Sequence, residues 1–149
     1  MTYSGVYPSP TRTETNARFL DAWVEGKLIL QKCGTCGITP SFPRDLCPSC
    51  WSTDLMWEQR SGEGKIVEFT VVHSHVSEPF SSEGPVVFAE VLLKEGGRMF
   101  SRIITENVAL INAGMSVAII KIPEAAKYSL PTFTCNYKGD PQAAIHYES

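Results

Sequence analysis

Apolar residues change their spacing along this chain, and each change marks a different kind of element. Between Thr13 and Gly26 the large apolar residues Phe19, Leu20, Trp23 and Val24 recur at helical intervals. Thr13 is placed to cap the start of such a helix and Gly26 to end it. The stripe carries two bulky aromatics, and so short a helix is not stable unpacked. It packs either on the body of its own chain or on another subunit, and the pattern leaves both open. Residues 1–12 before it are polar, include Pro8 and Pro10, and read as a loose arm carrying Tyr3 and Tyr7. Leu28 to Gln31 then reads as a strand.

From Gly62 onward the period becomes two. Lys65 to His73 (KIVEFTVVH) sets Ile66, Glu68 and Thr70 against Val67, Phe69 and Val71. Pro85 to Leu93 (PVVFAEVLL) reads as a buried strand, turned by Glu95-Gly96-Gly97 into Arg98 to Ile104. Glu106 to Ile111 fits one helical turn, Ser116 to Ile122 a strand stopped by Pro123, and Pro131 to Tyr137 a last short strand. Five short strands with a brief helix before the later ones predict a mainly β chain with a five-stranded closed barrel. The oligonucleotide/oligosaccharide-binding (OB) barrel is the candidate, with Phe69, Phe88 and Phe100 expected to help fill it.

Between the helix and the barrel lie Cys33, Cys36, Cys47 and Cys50, spaced C-x2-C-x10-C-x2-C. Each pair forms a hook that aims two sulfurs at one point, and four thiolates suit tetrahedral Zn(II) with no position left open for substrate. Such a site builds structure and performs no chemistry. Gly34 and Gly37 supply backbone freedom in the first hook, Pro48 stiffens the second, and Pro40 and Pro43 stiffen the connection. Iron accepts the same four thiolates, but rubredoxins separate their hooks by a much longer segment and carry no barrel. The predicted organisation is therefore an arm over 1–12, a helix over 13–26, a four-cysteine zinc ribbon over 27–60, the barrel over 61–138 and a tail over 139–149.

Composition narrows the function classes. The 149 residues are 43% hydrophobic and 19% charged, enough for one core, and the net charge is −3. From Arg60 to Leu130 seven Lys and Arg face eight acidic residues, with Glu68 and Glu90 inside strands. That balance argues against nucleic acid as a partner. No secretory signal and no membrane-length apolar run is visible, so the expected compartment is the cytoplasm, where thiols stay reduced and favour metal. Cys135 reads as a small buried apolar residue.

No residue is assigned a catalytic role: the chain lacks a nucleophile elbow, a P-loop, a dinucleotide fingerprint and HExxH. Gly62-Glu63-Gly64 is explained as a tight entry into a strand. His73 and His75 share a strand face with Glu78 nearby, but no third ligand is suitably spaced, and His146 lies in the tail.

The order of these pieces resembles the DUF35 family. It runs from the helix to GKLILQKC-x2-C, FPRDLCPSCWS and W-x4-G-x-GKIVEFTVVH, then the strand pair and AGMSVAI, over roughly residues 14–135. The resemblance implies an OB-fold protein with a rubredoxin-like zinc ribbon. It implies Cys33, Cys36, Cys47 and Cys50 as ligands of a structural zinc. It also implies a non-catalytic accessory subunit beside a thiolase-like enzyme, with a CoA thioester as the ligand of the complex. A hot-dog-fold hydratase partner, a free-standing acyl-CoA-binding homodimer and a nucleic-acid module are the alternatives. Many members end on a Phe-Arg-Pro-like segment where this chain has Phe133-Thr134-Cys135, so no CoA-contacting cation is carried over there. Arg44, Lys65, Arg98 and Arg102 are the cations near element ends, and none is assigned to CoA.

Overall fold

A computed structural model of the chain describes residues 9–73 and 84–135. Helix α1 spans Ala17–Val24. It begins later than Thr13 because Thr13 and Asn16 bond each other first. The Asn16 N–H donates to Thr13 Oγ1 (3.2 Å) and the Thr13 N–H to Asn16 Oδ1 (2.8 Å), closing a turn ahead of the helix. The C-terminus closes in a Schellman motif, with the Gly26 N–H on the Trp23 carbonyl and the Lys27 N–H on that of Ala22. Phe19 and Trp23 are buried, and the Trp23 indole N–H donates to the Tyr128 carbonyl at 2.9 Å. Of the two readings of the aromatic stripe, packing on its own chain is the one realised.

Strands β1 (Leu28–Cys33) and β2 (Leu55–Arg60) form an antiparallel ribbon, with Leu28 opposite Arg60 and Cys33 opposite Leu55. The register places the first cysteine at the tip of β1 and returns the chain to the barrel at Arg60. The barrel is built from β3 (Glu63–Val72), β4 (Val86–Leu93), β5 (Arg98–Ile104), β6 (Ser116–Ile119) and β7 (Phe133–Cys135), closed in the order β3-β4-β5-β7-β6. A register shift between Ile66 and Glu68 marks a bulge in β3. Bulges bend a strand, so one long strand can serve both β4 and, at its start, β6. β7 runs parallel to β5 and antiparallel to β6. The expected mainly β architecture, with a helix and a four-cysteine ribbon ahead of a five-stranded barrel, is the one observed.

Val87, Ala89 and Val91 of β4 stand opposite Ile103, Ser101 and Met99 of β5, and all six are buried. With Ile66, Val117, Ile119 and Phe133 they fill the barrel, and α1 with Leu28 and Leu30 extends the same core. The phenylalanines do not fill it as expected. Phe88 and Phe100 occupy the alternate positions, opposite Arg102 and Glu90, and point outward, Phe100 being 66% exposed. Phe69 stands opposite Ala89 yet is also exposed. The run PVVFAEVLL is apolar on both faces, so its pattern does not say which face turns inward.

The strand expected over Ser116 to Ile122 stops at Ile119, and a 3-10 turn follows at Glu124–Lys127. The turn expected within 106–111 is a 3-10 turn at Val108–Leu110, capped by the Asn107 side chain accepting from the Ala109 N–H. His75, Glu78, His146, Tyr3 and Tyr7 lie outside the described residues, as does the tail over 139–149.

Candidate metal centre

Each hook is a short turn closed by two backbone bonds. In the first, the Gly37 N–H donates to the Cys33 carbonyl and the Cys33 N–H to the Ile38 carbonyl, both at 2.9 Å. In the second, the Trp51 N–H donates to the Cys47 carbonyl and the Cys47 N–H to the Ser52 carbonyl, again at 2.9 Å. The residue after each second cysteine takes a positive φ, 81° at Gly37 and 65° at Trp51. Gly34 has no positive φ. A Cβ there would meet the Asp54 carboxylate, an exposed side chain that could move aside. Thr35 and Ser52 hydroxyls meet at 2.9 Å and tie one hook to the other.

This geometry brings all four sulfurs within 4.8 Å of one another. Two close pairs link the hooks: Cys33 to Cys50 at 3.6 Å and Cys36 to Cys47 at 3.5 Å. A tetrahedron with metal–sulfur bonds of about 2.3 Å has edges of about 3.8 Å, so the cluster has the size of a tetrathiolate zinc site. None of the cysteines is in a disulfide.

The electrostatics favour thiolates at Cys33 and Cys47 and oppose one at Cys50. Backbone N–H groups of Cys36 and Thr35 and the neighbouring sulfurs outweigh burial and bring Cys33 down to about 6. At Cys47, burial is outweighed by N–H groups of Cys50 and Ser49 and by two neighbouring sulfurs, and the net shift is downward. At Cys50 the Ser52 N–H pulls down, but burial and three crowded sulfurs push it up to about 12. Bare thiolates held this close repel each other, and a dication relieves that repulsion. Cys33, Cys36, Cys47 and Cys50 thus fit the donor set of a structural zinc, leaving no ligand position for substrate.

The ribbon is pinned to the barrel by groups that sequence reasoning did not single out. Arg60, at the end of β2, has a side chain only 3% exposed. It donates to Thr39 Oγ1 (2.9 Å) in the loop between the hooks and to the Glu95 carbonyl (3.3 Å) in the β4–β5 turn, beside the Glu58 carboxylate at 3.5 Å. The Glu95 carboxylate accepts from the Ser61 N–H at 2.7 Å and its hydroxyl at 3.2 Å. Burial alone would raise the Glu95 carboxyl. Those two bonds and the Arg60 charge outweigh it and hold the group below its ordinary range. Gly97 lies so near Thr39 that a Cβ would meet the threonine methyl at 2.8 Å. Buried Gln31 completes the joint, exchanging two bonds with the Arg44 backbone (2.8 and 2.9 Å). Only the paired Gly96-Gly97 turn hinted at this contact.

The remaining candidates do not converge. His73 is exposed beyond the end of β3. Cys135 is buried in β7, as expected of an apolar residue. Arg44 lies in the ribbon, and Lys65 and Arg98 both stand opposite Leu92 on the barrel wall. Arg98 is 3.4 Å from Glu90, and Arg102 stacks 5.6 Å from the Tyr128 ring. A groove of about 330 Å³ runs where helix end, ribbon root and barrel meet, with Lys27, Leu28, Arg60, Lys121 and Ile122 among its lining residues. No helix among the described residues is long and apolar enough to cross a membrane.

Comparison with known proteins agrees with this geometry. Residues 20–55 match the family model of the ChsH2 rubredoxin-like zinc ribbon domain, and residues 57–120 that of the ChsH2 C-terminal OB-fold domain. A DUF35 domain-containing scaffold protein of Methanocaldococcus jannaschii is 31% identical over 74% of this chain and 80% of its own length. The chain belongs to the DUF35 family. Among solved structures, a chain of the Ltp2-ChsH2(DUF35) aldolase matches with a TM-score of 0.71 and 28% identity, covering 85% of this chain and 98% of that one. A probable enoyl-CoA hydratase alpha subunit of Thermomonospora curvata is 29% identical over 85% of this chain, which spans 39% of that protein's length. These relatives are named as a scaffold or as parts of larger assemblies, which supports an accessory role in a hetero-oligomer.

Proposed function

We propose that this DUF35 protein is a zinc-binding, non-catalytic accessory subunit of a complex that processes CoA thioesters, with a thiolase-like catalytic partner that makes or breaks a carbon–carbon bond. The closed four-sulfur cluster, set on a ribbon locked to a barrel, carries this reading. Cys33, Cys36, Cys47 and Cys50 would hold the zinc, which supplies a crosslink between the hooks and leaves no open position. The chain's own contribution is rigidity: Arg60, Thr39 and Glu95 fix the angle at which the ribbon leaves the barrel.

The similarity to an aldolase component favours carbon–carbon chemistry in the partner. A hot-dog-fold hydratase partner is the second reading, favoured by the similarity to a hydratase subunit. The CoA thioester would be a ligand of the assembled complex. The barrel's outward aromatics do not favour nucleic acid, because Glu68 and Glu90 stand directly opposite each other beside Phe88 and Phe100. The thiolate cluster suits the reducing cytoplasm.

The test is affinity purification from native cells, followed by reconstitution with the protein that accompanies the chain in stoichiometric amount. Carbon–carbon bond activity confined to the complex, and complex loss on zinc removal, are expected. A complex that survives in metal-free protein overturns the docking role of the ribbon.

A further inference from the structure

The two hooks share one bonding pattern but are built from different residues at its most demanding position. The residue after the second cysteine must adopt a left-handed backbone, which Gly37 does without steric conflict. Its counterpart is Trp51, the only non-glycine residue with positive φ among the described residues. An L side chain there sets its Cβ against the following carbonyl, and a bulky one has least reason to tolerate it. Folding gains little in return, because Trp51 is 77% exposed. A strained, exposed indole held on a metal-clamped turn is an outlier that points to function.

The loop and hook that carry it hold few charges and two more exposed apolar residues. Leu46, immediately before the same hook, is 45% exposed, and Phe42, in the loop leading to it, is 44% exposed. Between Phe42 and Asp54 the only charges are Arg44, Asp45 and Asp54. A lipid surface would call for a cationic rim around such a patch, and none is present. The backbone that carries the indole is held by bonds on either side, so little main-chain freedom is lost when the hook is covered by another protein.

We propose that the second hook is the chain's anchor on its catalytic subunit, with Trp51 inserting into an apolar pocket of that subunit and Leu46 and Phe42 packing around it. This deepens the accessory-subunit reading and rests on it. Tryptophan is the residue most often found carrying binding energy at such contacts.

The test compares wild type with Trp51→Gly and Trp51→Phe, each titrated against the purified catalytic subunit that accompanies the wild-type chain stoichiometrically. Trp51→Gly should keep its zinc and melt no lower than wild type, while affinity for the subunit falls by about thirtyfold or more. Trp51→Phe should fall by less than about tenfold, since an aromatic anchor remains. Binding by Trp51→Gly within about threefold of wild type, with zinc content unchanged, overturns the anchor alone. So does a variant that loses self-association in sedimentation but still binds the subunit, since the hook would then face a second copy. If wild type brings down no stoichiometric subunit at all, the accessory reading fails and the anchor with it.

Discussion

In the barrel, Val87, Ala89, Val91, Met99, Ile103, Val117 and Phe133 are buried from different strands around one centre. In the ribbon, between Gly34 and Gln59, only Pro40 and Cys47 are buried. The strands of the two regions have similar hydrogen bonding, so backbone pairing is not what separates them. The barrel can rest on burial of apolar area, at roughly 25 cal/mol per Å². The hook segment has too little such area to offset its chain entropy, and four sulfurs stand where a core would be. Each region consequently fails in a different way when disturbed.

The largest effect should come from metal removal. Structural zinc in isolated finger peptides contributes on the order of 10–16 kcal/mol. A strong chelator should therefore disorder residues 33–55 while amide protection persists in β3–β6, as hydrogen exchange would show. Simultaneous loss in both regions would mean that the ribbon and barrel fold as one unit, erasing the contrast. Next comes Phe133→Ala, which opens a cavity at the barrel centre and should destabilise by about 3–5 kcal/mol in denaturant melts. Zinc affinity of the folded variant should be nearly unchanged.

Arg60→Met tests the joint between the two regions. It keeps the apolar stem but removes the donors to Thr39 and the Glu95 carbonyl, leaving a loss of about 1–3 kcal/mol. Small-angle scattering should report a wider spread of ribbon orientations in that variant, and partner affinity should fall without loss of zinc. Glu95→Gln should act more weakly and only above the carboxyl's folded pKa. A carboxyl depressed by folding adds stability above its ordinary value of 4.5, and that stability disappears as pH falls through the lower folded value. Melts of wild type and Glu95→Gln should thus differ at neutral pH and converge in acid.

The smallest effect has the opposite sign. Trp51→Gly removes the side chain from a left-handed position and should stabilise the free chain, by up to about 1 kcal/mol after the entropy of glycine is counted. A clear loss in the melting curve would show that the indole packs on its own chain after all.

Much of this was legible in the primary structure because the signals are local. C-x2-C-x10-C-x2-C fixes two hooks whatever surrounds them, since each turn closes within a few residues. The strand pattern from Lys65 to Ile104 is likewise a period set by the backbone. α1 starts later than Thr13 suggests because Thr13 and Asn16 bond each other reciprocally in a turn ahead of it, which only the geometry reveals. The outward turn of Phe88 is hidden because β4 offers apolar residues on both faces, whereas Phe100 shares its face with Arg98 and Arg102.

The sequence by itself determined the four-cysteine hooks, the presence of the helix and the places of the barrel strands along the chain, because each depends on residues near one another. Only the tertiary structure decided which face of each strand turned inward. It also decided that Arg60, Thr39, Glu95 and Gly97 would meet. Those outcomes depend on contacts between segments tens of residues apart, and no local period or spacing encodes a contact that closure of the barrel alone creates.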